Sequence, residues 1–146
     1  FLKQKQDNGA DYIMTQLCWD MDQFRYWLDA IRNAGIWLPV DVGIMPILDQ
    51  AATINMALSR NGCVMPRKLC EIISKHWIFP NPFEKEPFDA NVAQKKADFK
   101  EAGIEYTINQ IDEYRACGID GIHLYALNKY DDVARIAKES GLIDLI

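Results

Sequence analysis

Three short stretches of this sequence concentrate side chains and backbone suited to holding a flat, polar ligand. The first, Thr15-Gln16-Leu17-Cys18-Trp19-Asp20, sets an amide close to a large aromatic. Gln16 offers a heterocycle both a donor and an acceptor, and Trp19 offers a stacking surface. The same spacing also suits a Gln16 that satisfies a neighbouring strand end and a Trp19 that fills the core. In the second, Gly43-Ile44-Met45-Pro46, the glycine permits close backbone approach and the proline sets the exit direction, features that a purely structural turn shares. The third is His123-Leu124-Tyr125-Ala126-Leu127-Asn128-Lys129. Strand alternation sends His123 and Tyr125 to one side and Leu124 to the other, with Tyr125 nearer the strand's end. Asn128 is expected to cap the next helix. Lys129 in its first turn would oppose the helix dipole, so its charge calls for another reason, such as an anionic ligand.

Other chemistries lose support. No Gly-x-Gly-x-x-Gly, phosphate loop or Gly-x-Ser-x-Gly elbow occurs. Cys18, Cys63, Cys70 and Cys117 are separated by 44, 6 and 46 residues, and His76 and His123 are the only histidines, so no metal site is expected. The cysteines read as reduced thiols of a cytoplasmic protein. A net charge of -5 argues against nucleic acid, whose phosphates need clustered Lys and Arg. Prolines and Asp41 interrupt the least polar stretch, Ile36 to Leu48, so no membrane span is expected.

Positioning the three stretches requires strands that end beside them. Tyr12 to Leu17, Pro39 to Ile44 and Gly121 to Ala126 are short, rich in strand formers and preceded by glycine-bearing turns. Between them, Asp20 with Gln23 signals the start of a helix whose apolar residues Phe24, Leu28, Ile31 and Ala34 recur at helical spacing before Gly35. Asp49 to Arg60 reads as a helix with Ile54, Ala57 and Leu58 available for a buried face, and Pro66 opens another to His76. Trp77 to Pro87, with three prolines, reads as an irregular loop. A long helix is expected over Ala90 to Cys117, with Gly103 as a place where it bends or breaks. A last helix carries Val133, Ile136 and Ala137 and stops at Gly141.

Strands joined by such crossovers are parallel, which makes the fold α/β, either doubly wound or a barrel. A closed (β/α)8 barrel takes roughly 250 residues, and three strands cannot close one. The expectation is either a small open sheet or a partial (β/α)8 TIM barrel, its C-terminal strands and helices only. The opening Phe1-Leu2-Lys3 reads as mid-helix without an initiating Met, which suggests a truncated chain.

Taken together, Gly9-Ala10-Asp11-Tyr12-Ile13-Met14-Thr15-Gln16-Leu17 with Asp20, then Gly43-Ile44-Met45-Pro46-Ile47, then His123-Leu124-Tyr125-Ala126-Leu127-Asn128-Lys129 resemble in order and spacing the later half of the methylenetetrahydrofolate reductase barrel. The resemblance implies one partial domain over residues 1–146 of a protein that binds FAD, reduces it with NADH or NADPH, and converts 5,10-methylenetetrahydrofolate to 5-methyltetrahydrofolate in one-carbon and methionine metabolism. It also implies residue roles. Lys5 resembles the family's lysine near the flavin's phosphate or ribose, and Gln16 resembles the glutamine that bonds the pterin. Tyr125 and Lys129 fall on the folate side, Lys129 replacing an arginine and so losing its planar fork.

Three positions depart from the family pattern: Val42 stands in place of a proline, and Ala52 and Met56 in place of a folate-contacting glutamine and phenylalanine. The family's catalytic glutamate belongs to earlier strands, so the catalytic acid is expected outside this chain. The partners implied are the folate substrate and the N-terminal half of the barrel. An open sheet edge would favour association, a homo-oligomer included. A non-catalytic pterin-binding or interaction module, or a remnant without a ligand, would explain the same residues.

Overall fold

The computed structural model describes residues 1–59, 62–79 and 91–143. Its elements run α1 (Leu2–Asp7), β1 (Ile13–Met14), α2 (Met21–Asn33), β2 (Val40–Ile44), α3 (Gln50–Leu58), α4 (Arg67–Lys75), α5 (Val92–Ala116), β3 (Gly121–Leu124) and α6 (Tyr130–Glu139). The strands form one parallel sheet in the order β1-β2-β3. β1 and β3 end before their sequence patterns do, at Met14 and Leu124, whereas β2 runs to Ile44 as expected and lacks only Pro39, which has no amide to donate. Among the described residues β1 and β3 each pair on one side only, so the sheet is open.

The two faces of the sheet differ. Register pairs Ile13 with Val40, Val42 with Ile122 and Ile44 with Leu124, and this apolar set shares one core with Phe24, Leu28 and Ile31 of α2, Ile104, Ile111 and Tyr114 of α5, and Ile136 of α6. Each such side chain removed from water stabilises the fold by about 1.5–3 kcal/mol. The Phe24 and Tyr114 rings meet edge to face at 4.7 Å. Met14, Asp41, Gly43, Gly121 and His123 project from the opposite face, where Met14 and His123 are exposed.

A second core lies beyond the carboxyl ends of the strands. Leu17, Trp19, Met45 and Ile47 leave β1 and β2 and pack with Leu69 and Ile73 of α4 and Phe99 and Tyr106 of α5. The start of α2 follows its expected chemistry, with the Asp20 carboxylate accepting from the Asp22 and Gln23 amides. The buried face of α3 follows the expected one in part: Ile54 and Ala57 pack half-buried against the second core, whereas Leu58 is exposed and the fully buried residues are Gln50 and Thr53. Gln50 is spent on the end of α4, its amide donating to the Ile73 and His76 carbonyls while its oxygen accepts from the Ile78 amide.

Helix α5 runs through Gly103 unbroken. A β-carbon there would lie 1.9 Å from the Ile47 carbonyl oxygen, so glycine serves contact between helix and loop rather than a bend. Of the loop expected at Trp77 to Pro87, residues 77–79 are irregular and the rest lies outside the described residues. The final helix is capped differently from expectation. Lys129 holds its N-cap position with no side-chain cap, and Asn128 sits one residue before it at φ 62°.

Candidate functional site

Parallel strands put their carboxyl ends on one edge, and Gln16, Gly43, Tyr125 and Lys129 all lie there. At the end of β1 the Thr15 amide donates to the Asp41 carbonyl at 2.9 Å, so the register holds through Thr15. The ladder then changes. The Gly43 amide donates to the Thr15 hydroxyl at 3.1 Å rather than to a main-chain carbonyl. Gln16 is exposed, and its side-chain oxygen accepts from the Leu17 amide at 3.1 Å. It thus satisfies its own turn, not a neighbouring strand end. Trp19 is 2% exposed, which makes it core and removes it as a stacking surface at the rim.

Tyr125 continues β3 by donating its amide to the Ile44 carbonyl at 2.9 Å. It is half-buried against the second core, and its ring meets His123 at 4.8 Å in an edge arrangement. The ring leans across β2. A β-carbon on Gly43 would stand 3.0 Å from both Cε2 and the hydroxyl of Tyr125, and 2.7 Å from the Thr15 carbonyl oxygen. The glycine is therefore required by close approach, the use its sequence context allowed.

From Ala126 to Lys129 the chain makes a tight turn closed by the Lys129 amide on the Ala126 carbonyl at 2.7 Å. Its central residues, Leu127 at φ 44° and Asn128 at φ 62°, are both left-handed. Asn tolerates that region, whereas Leu pays about 1–2 kcal/mol for it. Lys129 is exposed, and among the described residues it forms no ion pair. An exposed cation at a helix N-terminus suits an anion arriving at the same edge.

Lys5 is not brought to this group. It lies in the last turn of α1, 5.1 Å from the Phe1 ring, and its neighbour Gln6 bonds the Gly35 carbonyl and the Trp37 amide just before β2, at the amino end of the sheet. Two polar groups that the sequence did not single out stand near the site. They are Thr15, whose role depends on which group completes the ladder, and Asp41, whose Oδ1 is buried without a hydrogen-bond partner among the described residues. No motif marks either. Around Cys18, burial raises the thiol pKa and pushes the Tyr106 and Tyr114 hydroxyls well above the usual phenol range. Tyr114 and Gln110 both donate to the Cys18 carbonyl, so these groups build structure.

A family model described as methylenetetrahydrofolate reductase matches residues 1–141. The chain belongs to that family. It is 31% identical over 143 residues to methylenetetrahydrofolate reductase 1 of Schizosaccharomyces pombe, covering 98% of this chain and 21% of that protein. It is 33% identical over 144 residues to methylenetetrahydrofolate reductase (NADH) 1 of Arabidopsis thaliana, covering 99% and 22%. With the probable methylenetetrahydrofolate reductase (NADPH) of Caenorhabditis elegans, identity is 29% over 143 residues, covering 97% and 19%. The chain thus spans about a fifth of the length of these reductases.

FAD, which the sequence resemblance implies, needs cations or clustered amides for its pyrophosphate and a slot for its ring. Among the described residues the groups that the sequence placed at the carboxyl edge are the Gln16 amide, the Tyr125 hydroxyl and the Lys129 ammonium, while Lys5 stands at the other end of the sheet. These groups do not make a flavin cradle by themselves. They do suit a neutral heterocycle with an anionic tail.

Proposed function

We propose that this chain forms the C-terminal strands and helices of a (β/α)8 reductase barrel, as one partial domain over residues 1–146, and supplies the pterin side of a site that reduces 5,10-methylenetetrahydrofolate to 5-methyltetrahydrofolate. The observation that carries this reading is the one-sided cover of the sheet. Helices α2, α5 and α6 pack on the face of Val40, Val42 and Ile44, while Met14 and His123 on the other face are exposed. An arc of a barrel has that arrangement, whereas a doubly wound sheet carries helices on both faces. The N-terminal half of the barrel would cover the unpaired edges of β1 and β3 and bring the catalytic acid and most of the flavin site.

In this reading FAD, bound by the completed barrel, would supply hydride transfer between a nicotinamide donor and the folate. Relatives are named for NADH and for NADPH, and this chain takes one of the two. The Gln16 side-chain nitrogen donates to the pterin, Tyr125 lines the same pocket, and Lys129 pairs with the carboxylates of the folate tail. Lys5 reaches the ribose or phosphate portion of the flavin, the part that extends farthest from the ring. Among the described residues no helix is long and apolar enough to cross a membrane. The second reading is a non-catalytic pterin-binding or interaction module; Ala52 and Met56, on α3, bear on folate specificity rather than on turnover.

Producing the chain alone and joined to the N-terminal half of a reductase barrel separates these readings. The joined protein is expected to bind flavin and turn over, and the chain alone to do neither. Reductase turnover by the chain alone would overturn the proposal. A joined protein that binds 5-methyltetrahydrofolate without turnover would favour the module.

A further inference from the structure

The end of β1 carries a hydrogen-bond exchange. In a regular parallel ladder the Gly43 amide would donate to a main-chain carbonyl of β1. Here it donates to the Thr15 hydroxyl at 3.1 Å, while Thr15's own amide stays in the ladder on the Asp41 carbonyl at 2.9 Å. The Thr15 carbonyl, relieved of that role, stands 2.7 Å from where a β-carbon of Gly43 would be. Gly43 alternates with the buried Val42 and Ile44 and pairs with the exposed His123, so that direction is the open face of the sheet. The Tyr125 hydroxyl lies 3.0 Å from the same point.

We propose that Thr15 is a positioning residue for pterin binding, its hydroxyl taking over the Gly43 amide so that the Thr15 carbonyl turns onto the open face beside Tyr125 and the next residue, Gln16, leaves the strand with its side chain at the rim. The inference rests on the reading of the chain as the pterin side of a reductase. A hydroxyl is the chemical requirement, because a side chain without one returns the Gly43 amide to the carbonyl and straightens the end of β1. The freed carbonyl is an acceptor for an N–H of a pterin, whose ring presents several. A buried amide that loses its acceptor is costly, which makes the exchange a two-position choice rather than a loose average.

The test uses the complete reductase and three variants. Thr15→Val and Thr15→Ala remove the hydroxyl without and with loss of side-chain volume, respectively, and Thr15→Ser keeps it. Calorimetric binding of 5-methyltetrahydrofolate is expected to weaken about tenfold in Thr15→Val and Thr15→Ala and to stay within about twofold in Thr15→Ser. The KM for methylenetetrahydrofolate should rise in parallel, with oxidation of the nicotinamide donor by the protein unchanged. Equal affinity in Thr15→Ala and Thr15→Ser, or equal loss in both half-reactions, would overturn the role of Thr15. Should Thr15→Val fail to fold, Thr15→Ala against Thr15→Ser decides. A parent protein that turns over no folate at all would instead overturn the reductase reading.

Discussion

The Tyr125 ring lies across the bare α-carbon of Gly43, so that a β-carbon at Gly43 would meet both Cε2 and the hydroxyl of Tyr125 at 3.0 Å. The same carbon would press on the Thr15 main chain at 2.7 Å, where no side chain can swing away. Gly43→Ala is therefore expected to destabilise the fold by about 1–3 kcal/mol and to displace Tyr125 from the edge of the site. A urea midpoint equal to that of the parent would show that the contact is loose.

Gly103 gives a sharper test because two effects oppose each other. Alanine in a helix interior is favoured over glycine by about 1 kcal/mol. At Gly103, however, the added carbon would lie 1.9 Å from the Ile47 carbonyl oxygen. Helix α5 would have to move away from the loop after β2, losing contacts among Ile47, Phe99 and Tyr106 in the second core. Gly103→Ala should lower stability by several kcal/mol, on the order of the largest core effects. Thermal melting checks the sign, and a rise in Tm would contradict the packing described.

The turn after β3 predicts the opposite sign. Leu127 is 71% exposed at φ 44°, so it bears left-handed strain with little burial in return. Leu127→Gly should raise stability by about 1 kcal/mol, the strain released less the entropy glycine adds to the unfolded chain. Chemical denaturation measures it. A loss would mean that the Leu127 side chain makes a contact that the described residues do not include.

Burial also sets a dependence on pH. It pushes the Cys63 thiol up to about 11 from 9.0, and raises Cys18 in the same sense. A folded-state pKa above the unfolded one means that the neutral thiol is favoured by folding. This contribution is complete below pH 9 and is lost as pH rises through about 11. Melting temperature should decline over that window, and less steeply in Cys63→Ala. At pH 8 iodoacetamide should label the exposed Cys70 well before Cys63.

The fold was legible where a local signal and the tertiary structure asked for the same thing. Asp20 caps α2 because its carboxylate meets two free amides of the first turn. Val40, Val42 and Ile44 are buried because their alternation matches the face that three helices cover. What the sequence hid depended on contacts between distant segments. Gln50 is buried by bonding the end of α4, which no periodicity reveals, and Leu58 at the other end of α3 is exposed despite its apolarity. Asn128 was suited to a cap, yet the turn required left-handed residues there and moved the cap to Lys129. In the site, the order of Gln16, Gly43 and Tyr125 could be read from motifs. The Thr15 exchange could not, because it depends on which of two acceptors takes one amide.

Gln16→Ala in the complete reductase tests the central claim most directly, because only the folate step needs that amide. With the two half-reactions timed separately, oxidation of the nicotinamide donor should remain within about twofold of the parent while reduction of methylenetetrahydrofolate slows about tenfold or more. Equal losses in the two half-reactions, or none in the folate step, would contradict the placement of this chain on the pterin side of the site.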